Sequence, residues 1–201
     1  KNDGTVWAWG LNTNGQLGDN TTTQRLLPVQ VRDASGIAYL INISAISAGS
    51  SHSVAISNGG TLFGWGSNTN GQLGDNTISQ RNIPVQVKDV AGAGVLSSIA
   101  AVSAGSTHTL ARKTDGTLYA WGANTNGQLG DNTTIQRNLP IQVKDVAGTG
   151  TLSDISNISA GNVFSAVVKS DGTVYSWGLN TNGQLGDNTT TQRLLPVQVK
   201  D

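Results

Sequence analysis

Apolar and polar positions alternate in short bursts along the chain, and no burst is longer than a strand. Gly4-Thr5-Val6-Trp7-Ala8-Trp9-Gly10 alternates behind the turn-forming Asn2-Asp3-Gly4, which predicts a strand. Leu27–Val31 predicts a second, with Pro28 at its start, because proline has no N–H for a ladder and belongs at a strand start or outer edge. Ile43–Gly49 and His52–Ile56 predict two more. The same pair returns at Ile99–Gly105 and His108–Ala111, and again at Ile155–Gly161 and Phe164–Val168. Even the richest apolar run, Ile37–Ile43, is strand-sized and far short of the ~18 residues of a membrane-spanning helix.

These bursts are periodic. Trp9-Gly10-Leu11-Asn12-Thr13-Asn14-Gly15-Gln16-Leu17-Gly18-Asp19-Asn20 returns almost letter for letter from Trp65, Trp121 and Trp177, a spacing of 56 residues each time. A fixed period of this size is the signature of stacked supersecondary units. Each unit has an inner half, two strands meeting at Ser-Ala-Gly, and an outer half, Asp-Gly-Thr to the Pro-led strand. The expectation is an all-β protein, a β-propeller of four-stranded antiparallel blades. One domain of 1–201 divides into a half-blade 1–33 and repeats 34–89, 90–145 and 146–201, about three and a half blades. Such a chain is a partial ring cut from a longer propeller, half of a seven-bladed ring completed by a second copy, or a head-to-tail polymer unit. Short strands cannot bury a face alone, so Trp9, Trp65, Trp121 and Trp177 are assigned to blade-to-blade packing. The Ala-Gly ends at 48–49, 104–105 and 160–161 mark a crowded innermost strand.

The motif itself is specific. Ser103-Ala104-Gly105-Ser106-Thr107-His108, then Asp115-Gly116-Thr117-Leu118-Tyr119-Ala120-Trp121-Gly122-Ala123-Asn124, Gly127-Gln128-Leu129-Gly130 and Pro140-Ile141-Gln142-Val143 resemble the repeat of the regulator of chromosome condensation family. The resemblance covers the whole chain and implies seven four-stranded blades. Asn162-Val163-Phe164 departs from it, with Phe164 where the pattern has His.

Composition narrows the partners. Twelve Lys and Arg balance twelve acids, all of them Asp, and charged residues are only 12% of the chain. Nucleic acid needs clustered cations, so it is not expected as a partner. With no Cys there are no thiolate metal sites, disulfides or thiol catalysis. Low charge with Thr- and Asn-rich loops suits a bacterial protein that is extracellular or at the cell surface.

Candidate chemistry is sparse. His52 and His108 are equivalent positions, but Phe164 occupies the third, which favours packing over metal ligation or catalysis. Asp19, Asp75, Asp131 and Asp187 sit in Asn-Gly loops that faintly suggest calcium; Asx-turns explain them better. Arg25, Arg81, Arg137 and Arg193 follow six residues later and are expected to reach back to those loops. Gly18, Gly74, Gly130 and Gly186 complete the repeated structural set. No catalytic residue, cofactor or metal is assigned. Near-identical repeats suit avidity or assembly more than a unique active site. The expected function is therefore a non-enzymatic scaffold for a protein partner or for further copies of itself. The alternatives implied by the family are a nucleotide-exchange factor for a small GTPase, or an enzyme inhibitor using a propeller face.

Overall fold

The computed structural model describes residues 1–200 and contains fourteen strands. β1 (Trp7–Gly10) and β2 (Arg25–Gln30) form a two-stranded sheet. Three antiparallel sheets of four strands follow. The first has β3 (Ile43–Ala48), β4 (His52–Ser57), β5 (Leu62–Gly66) and β6 (Arg81–Gln86). The second has β7 (Ile99–Ala104), β8 (His108–Lys113), β9 (Leu118–Gly122) and β10 (Arg137–Gln142). The third has β11 (Ile155–Ala160), β12 (Phe164–Lys169), β13 (Val174–Gly178) and β14 (Arg193–Gln198). Strand order in each sheet is sequence order, so every connection is a local hairpin or loop. These are the blades of a partial propeller, three whole ones and an outer half. We call them units 2, 3 and 4, and half-unit 1.

The outer strand differs from its sequence reading. It starts at Arg25, two residues before Leu27, and Pro28 lies inside it, as do Pro84, Pro140 and Pro196 in their copies. The strand tolerates proline because it is an edge and because the ladder slips beside it. Gly64 pairs with Val85 but Gly66 pairs with Arg81, so Pro84 falls in a bulge.

The core lies between sheets. Val54, Ile56, Leu62 and Val87 of unit 2 pack with Ala104, Ala111, Tyr119 and Trp121 of unit 3. Leu110, Leu118 and Leu129 of unit 3 pack with Val167 and Trp177 of unit 4. Val6, Val31 and Leu40 meet Ala55 and Trp65 of unit 2 in the same way. Every unit thus takes one wall of its core from its neighbour.

Innermost strand β7 touches β3 on one side and β11 on the other. The Ser47 hydroxyl accepts a bond from the Ala104 amide at 3.0 Å, and the Ser103 hydroxyl one from the Ala160 amide at 2.9 Å. A methyl group at Gly105 would stand 2.6 Å from the Gly161 carbonyl. That is the crowding at the axis that the Ser-Ala-Gly pattern signals.

Candidate functional site: loops within units and joints between them

Each Trp-Gly-x-Asn loop closes on itself. In half-unit 1 the fully buried Asn12 donates through Nδ2 to Asp19 Oδ1 at 3.1 Å and to the Thr21 and Thr23 carbonyls. Its Oδ1 accepts from the Leu17 amide at 2.9 Å. Asp19 Oδ1 also accepts from the Thr21 hydroxyl, and Oδ2 takes the Arg25 guanidinium at 2.7 Å. Asp75–Arg81, Asp131–Arg137 and Asp187–Arg193 repeat the pair at 2.8, 2.7 and 2.6 Å. Burial alone would raise these carboxyl pKa values. The bonds from Thr, Arg and Asn outweigh it and hold all four below the ordinary range. Both carboxylate oxygens are engaged by donors, so the loop is a finished polar knot rather than an open cage for calcium.

Between units the contacts also repeat. Trp65 Nε1 donates to the Gln16 carbonyl at 2.9 Å, Trp121 Nε1 to that of Gln72 at 2.9 Å, and Trp177 Nε1 to that of Gln128 at 2.8 Å. Those three indoles are at most 2% exposed. The glycine of the preceding loop makes room: a methyl at Gly74, whose φ is +66°, would sit 2.8 Å from Trp121 Nε1. Trp65 takes the corresponding place over Gly18, and Trp177 over Gly130. Farther out, the amides of Asn20, Asn76 and Asn132 donate to the carbonyls of Asn82, Asn138 and Leu194 in the next unit. Trp9 is 62% exposed, and no carbonyl among the described residues receives its indole as Gln16, Gln72 and Gln128 receive the other three. Gly186 likewise faces no indole and meets only Val199.

His52 and His108 belong to these joints. His52 Nε2 lies 3.0 Å from Thr109 Oγ1, whose hydroxyl donates to the Gln72 carbonyl at 2.8 Å. The single hydroxyl proton is spent there, so His52 must donate from Nε2 and leave Nδ1 bare. His108, Ser165 and the Gln128 carbonyl form the same chain at 3.0 and 2.8 Å. Burial pushes His52 down to about 4; burial and then the charge on His52 push His108 to about 3. Both rings are neutral and fully buried, and each is held across a joint by a hydroxyl of the next unit.

Sequence reading missed a repeated hydroxyl, which in two of three copies receives a histidine. Ser53, Thr109 and Ser165 each follow the His/Phe position, spaced by 56 residues, and each donates to the carbonyl that its unit's Trp also uses. A small hydroxyl kept at one register was the available signal. Among the described residues no group of three or more His or Asp residues is placed to hold a metal ion. No helix there is long and apolar enough to cross a membrane.

With this geometry in view, comparisons place the chain. The family model of the RCC1-like domain matches residues 1–201. The ultraviolet-B receptor UVR8 of Arabidopsis thaliana is 33% identical over 198 residues, 98% of this chain and 42% of that one. Human HERC4, a probable E3 ubiquitin-protein ligase, is 35% identical over 197 residues, 97% of this chain and 18% of its own length. The chain therefore spans less than half of these relatives. Human WBSCR16 superposes with a TM-score of 0.84 at 22% identity, over 99% of this chain and 49% of that structure. Yeast RCC1 (Prp20), solved bound to Kap60, gives 0.73 at 25% identity, over 98% and 45%. Since the family model matches residues 1–201, the chain is a member of the RCC1-like domain family.

Proposed function

We propose that the chain is a non-enzymatic interaction module that presents repeated, rigid turns to a protein partner and also meets further copies of itself. The observation that carries this is the rim formed by the Asp89 and Asp145 turns. Asp89 accepts from the Ala93 and Gly94 amides, and Asp145 from those of Thr149 and Gly150, all at 3.0 to 3.1 Å. Val90 and Val146 stand at the same place on these turns, each 55% exposed. A preorganised apolar group offered at successive steps suits multipoint binding, since the loop ordering is completed before a partner arrives. Yeast RCC1, which has the same fold, was solved bound to a protein, Kap60, in line with this reading. Low charge and Thr-rich loops suit a place at the cell surface, which fractionation of the source cell checks.

The test is affinity capture on the immobilised chain, with bound proteins identified and then measured against the double variant Val90→Lys/Val146→Lys. Both side chains are exposed, so the fold is expected to persist while the captured protein is lost. Equal capture by the variant, or accelerated nucleotide release from a small GTPase unaffected by it, would replace the rim with another surface.

A further inference from the structure

Five Asn-Gly steps occur in the chain, at Asn14-Gly15, Asn58-Gly59, Asn70-Gly71, Asn126-Gly127 and Asn182-Gly183. Asparagine before glycine is the step most open to self-attack, because glycine has no side chain to keep its amide nitrogen away from the neighbouring carboxamide carbon. Four of the five belong to the Trp-Gly-x-Asn loops. There the amides of Gly15, Gly71, Gly127 and Gly183 donate to the carbonyls of Asn12, Asn68, Asn124 and Asn180 at 2.9, 2.8, 2.9 and 3.0 Å. An amide that donates a hydrogen bond is held in its protonated, non-nucleophilic form. The asparagine amides of the same steps donate to the side chains of Gln16, Gln72, Gln128 and Gln184, each at 2.9 Å. The backbone is therefore fixed on both sides of the reactive carbon.

Asn58-Gly59 is unlike them. It lies at the turn between β4 and β5, where the other copies have Asn2-Asp3, Thr114-Asp115 and Ser170-Asp171. Those aspartates accept from the amide and hydroxyl of Thr5, Thr117 and Thr173 and so hold their turns. Glycine at 59 gives up that carboxylate, and the Thr61 amide donates to the Ser57 hydroxyl instead, at 3.1 Å. Among the described residues neither the Gly59 amide nor the Asn58 carboxamide makes a hydrogen bond. Asn58 is exposed, and only Ser57 Oγ, 3.9 Å away, lies within 4 Å of a methyl built at Gly59. Nucleophile and electrophile are adjacent, unprotected and uncrowded.

We propose that Asn58 is a site of spontaneous deamidation. The Gly59 nitrogen attacks Asn58 Cγ. The N–Cγ bond forms, the Cγ–Nδ2 bond breaks, and the Gly59 amide proton leaves with the side-chain nitrogen as ammonia. Water then opens the cyclic imide, giving its hydroxyl to the carbon and its proton to the nitrogen. Opening at Cγ yields aspartate; opening at the backbone carbonyl yields isoaspartate, whose main chain runs through the side chain. Nothing is oxidised or reduced. The product adds a negative charge to a chain whose charges balance. It also falls beside a joint. The Asn58 amide donates to the Asn42 carbonyl at 2.7 Å, and the Gly60 carbonyl accepts from the Ile99 amide of unit 3 at 3.0 Å. Isoaspartate lengthens the backbone between those two bonds.

The test holds the folded 201-residue chain in mildly alkaline buffer, digests it with an acid-active protease and measures aspartate and isoaspartate at all five sites by mass spectrometry. Asn58 is expected to convert at least about fivefold faster than any loop site, the effect of one donated amide bond on a rate. In urea the four loop bonds are lost, and the five rates should converge. Gly59→Asp restores the residue that the other copies carry, and should fold while suppressing conversion at Asn58. Asn58→Gln serves as a second variant, and the acidic band that grows on isoelectric focusing should be absent from it. Conversion at Asn58 no faster than in the loops, a gap as large in urea as in the fold, or an unchanged acidic band in Asn58→Gln would each overturn the proposal.

Discussion

Trp9 and Trp121 are the same residue in the same motif, yet one is 62% exposed and the other fully buried. Nothing within their own units explains the difference. Trp121 is buried because unit 2 supplies the Gln72 carbonyl and the gap at Gly74; Trp9 has no such neighbour. The loop beside each is intact in both cases, with Asp19–Arg25 and Asp131–Arg137 both at 2.7 Å. A unit therefore contains two kinds of bond, those that it completes alone and those that need the next one.

The largest expected effect tests that division directly. Trp121→Ala removes a buried indole and should cost about 3–5 kcal/mol in chemical denaturation, whereas Trp9→Ala should stay within about 0.5 kcal/mol. Equal losses would mean that the indole acts within its own unit. Next comes Gly74→Ala against Gly186→Ala. Both acquire a strained positive φ worth about 1 kcal/mol. Only the first also drives a methyl against Trp121, adding about 1–3 kcal/mol of overpacking.

The ion pairs should behave oppositely. Arg25→Ala and Arg137→Ala are expected to cost the same, about 1–2 kcal/mol, because both loops are self-contained. The figure sits low because each Arg side chain is 34% exposed and screened. A threefold larger loss at Arg137 in urea titrations would show that the loop draws on its neighbour after all.

Smallest, near neutrality, is the pH effect. His52 and His108 titrate at about 4 and about 3 when folded, below the ordinary 6.5. Between those values the unfolded chain binds more protons, so stability falls as pH drops from about 6.5. The loss is under about 1 kcal/mol per histidine between pH 7 and pH 6. Below the ordinary 3.8 the four loop carboxyls, held low in the fold, add a loss of the same sign. His52→Phe/His108→Phe should fold, since Phe164 already fills that place, and should flatten the curve above pH 4. No histidine takes part in the hydrogen bonds of the joint at Trp65. Indole hydrogen exchange on acidification should therefore start at Trp121 and Trp177, and exchange of Trp65 first would contradict this assignment.

The fold was legible because its signal is redundant. Four copies of Trp-Gly-x-Asn fix the period, and alternation fixes the strands. The reach of Arg25 toward Asp19 was legible as a sequence offset of six residues. What was not legible lies between units. The fate of Trp9 depends on a neighbour rather than on its own motif. The hydroxyls of Ser53, Thr109 and Ser165 act across a joint that spacing alone does not reveal. The bulge at Pro84 is a property of the ladder, invisible in the order of residues.

The identity of Gly10–Val31 with Gly178–Val199 has a consequence at the level of inheritance. Unequal exchange between two copies of this block adds or deletes whole multiples of 56 residues. Each event inserts or removes one complete joint and leaves every remaining joint chemically unchanged, because each unit touches only its neighbours. A change in repeat number thus alters how many joints the chain has without altering the chemistry of any one of them.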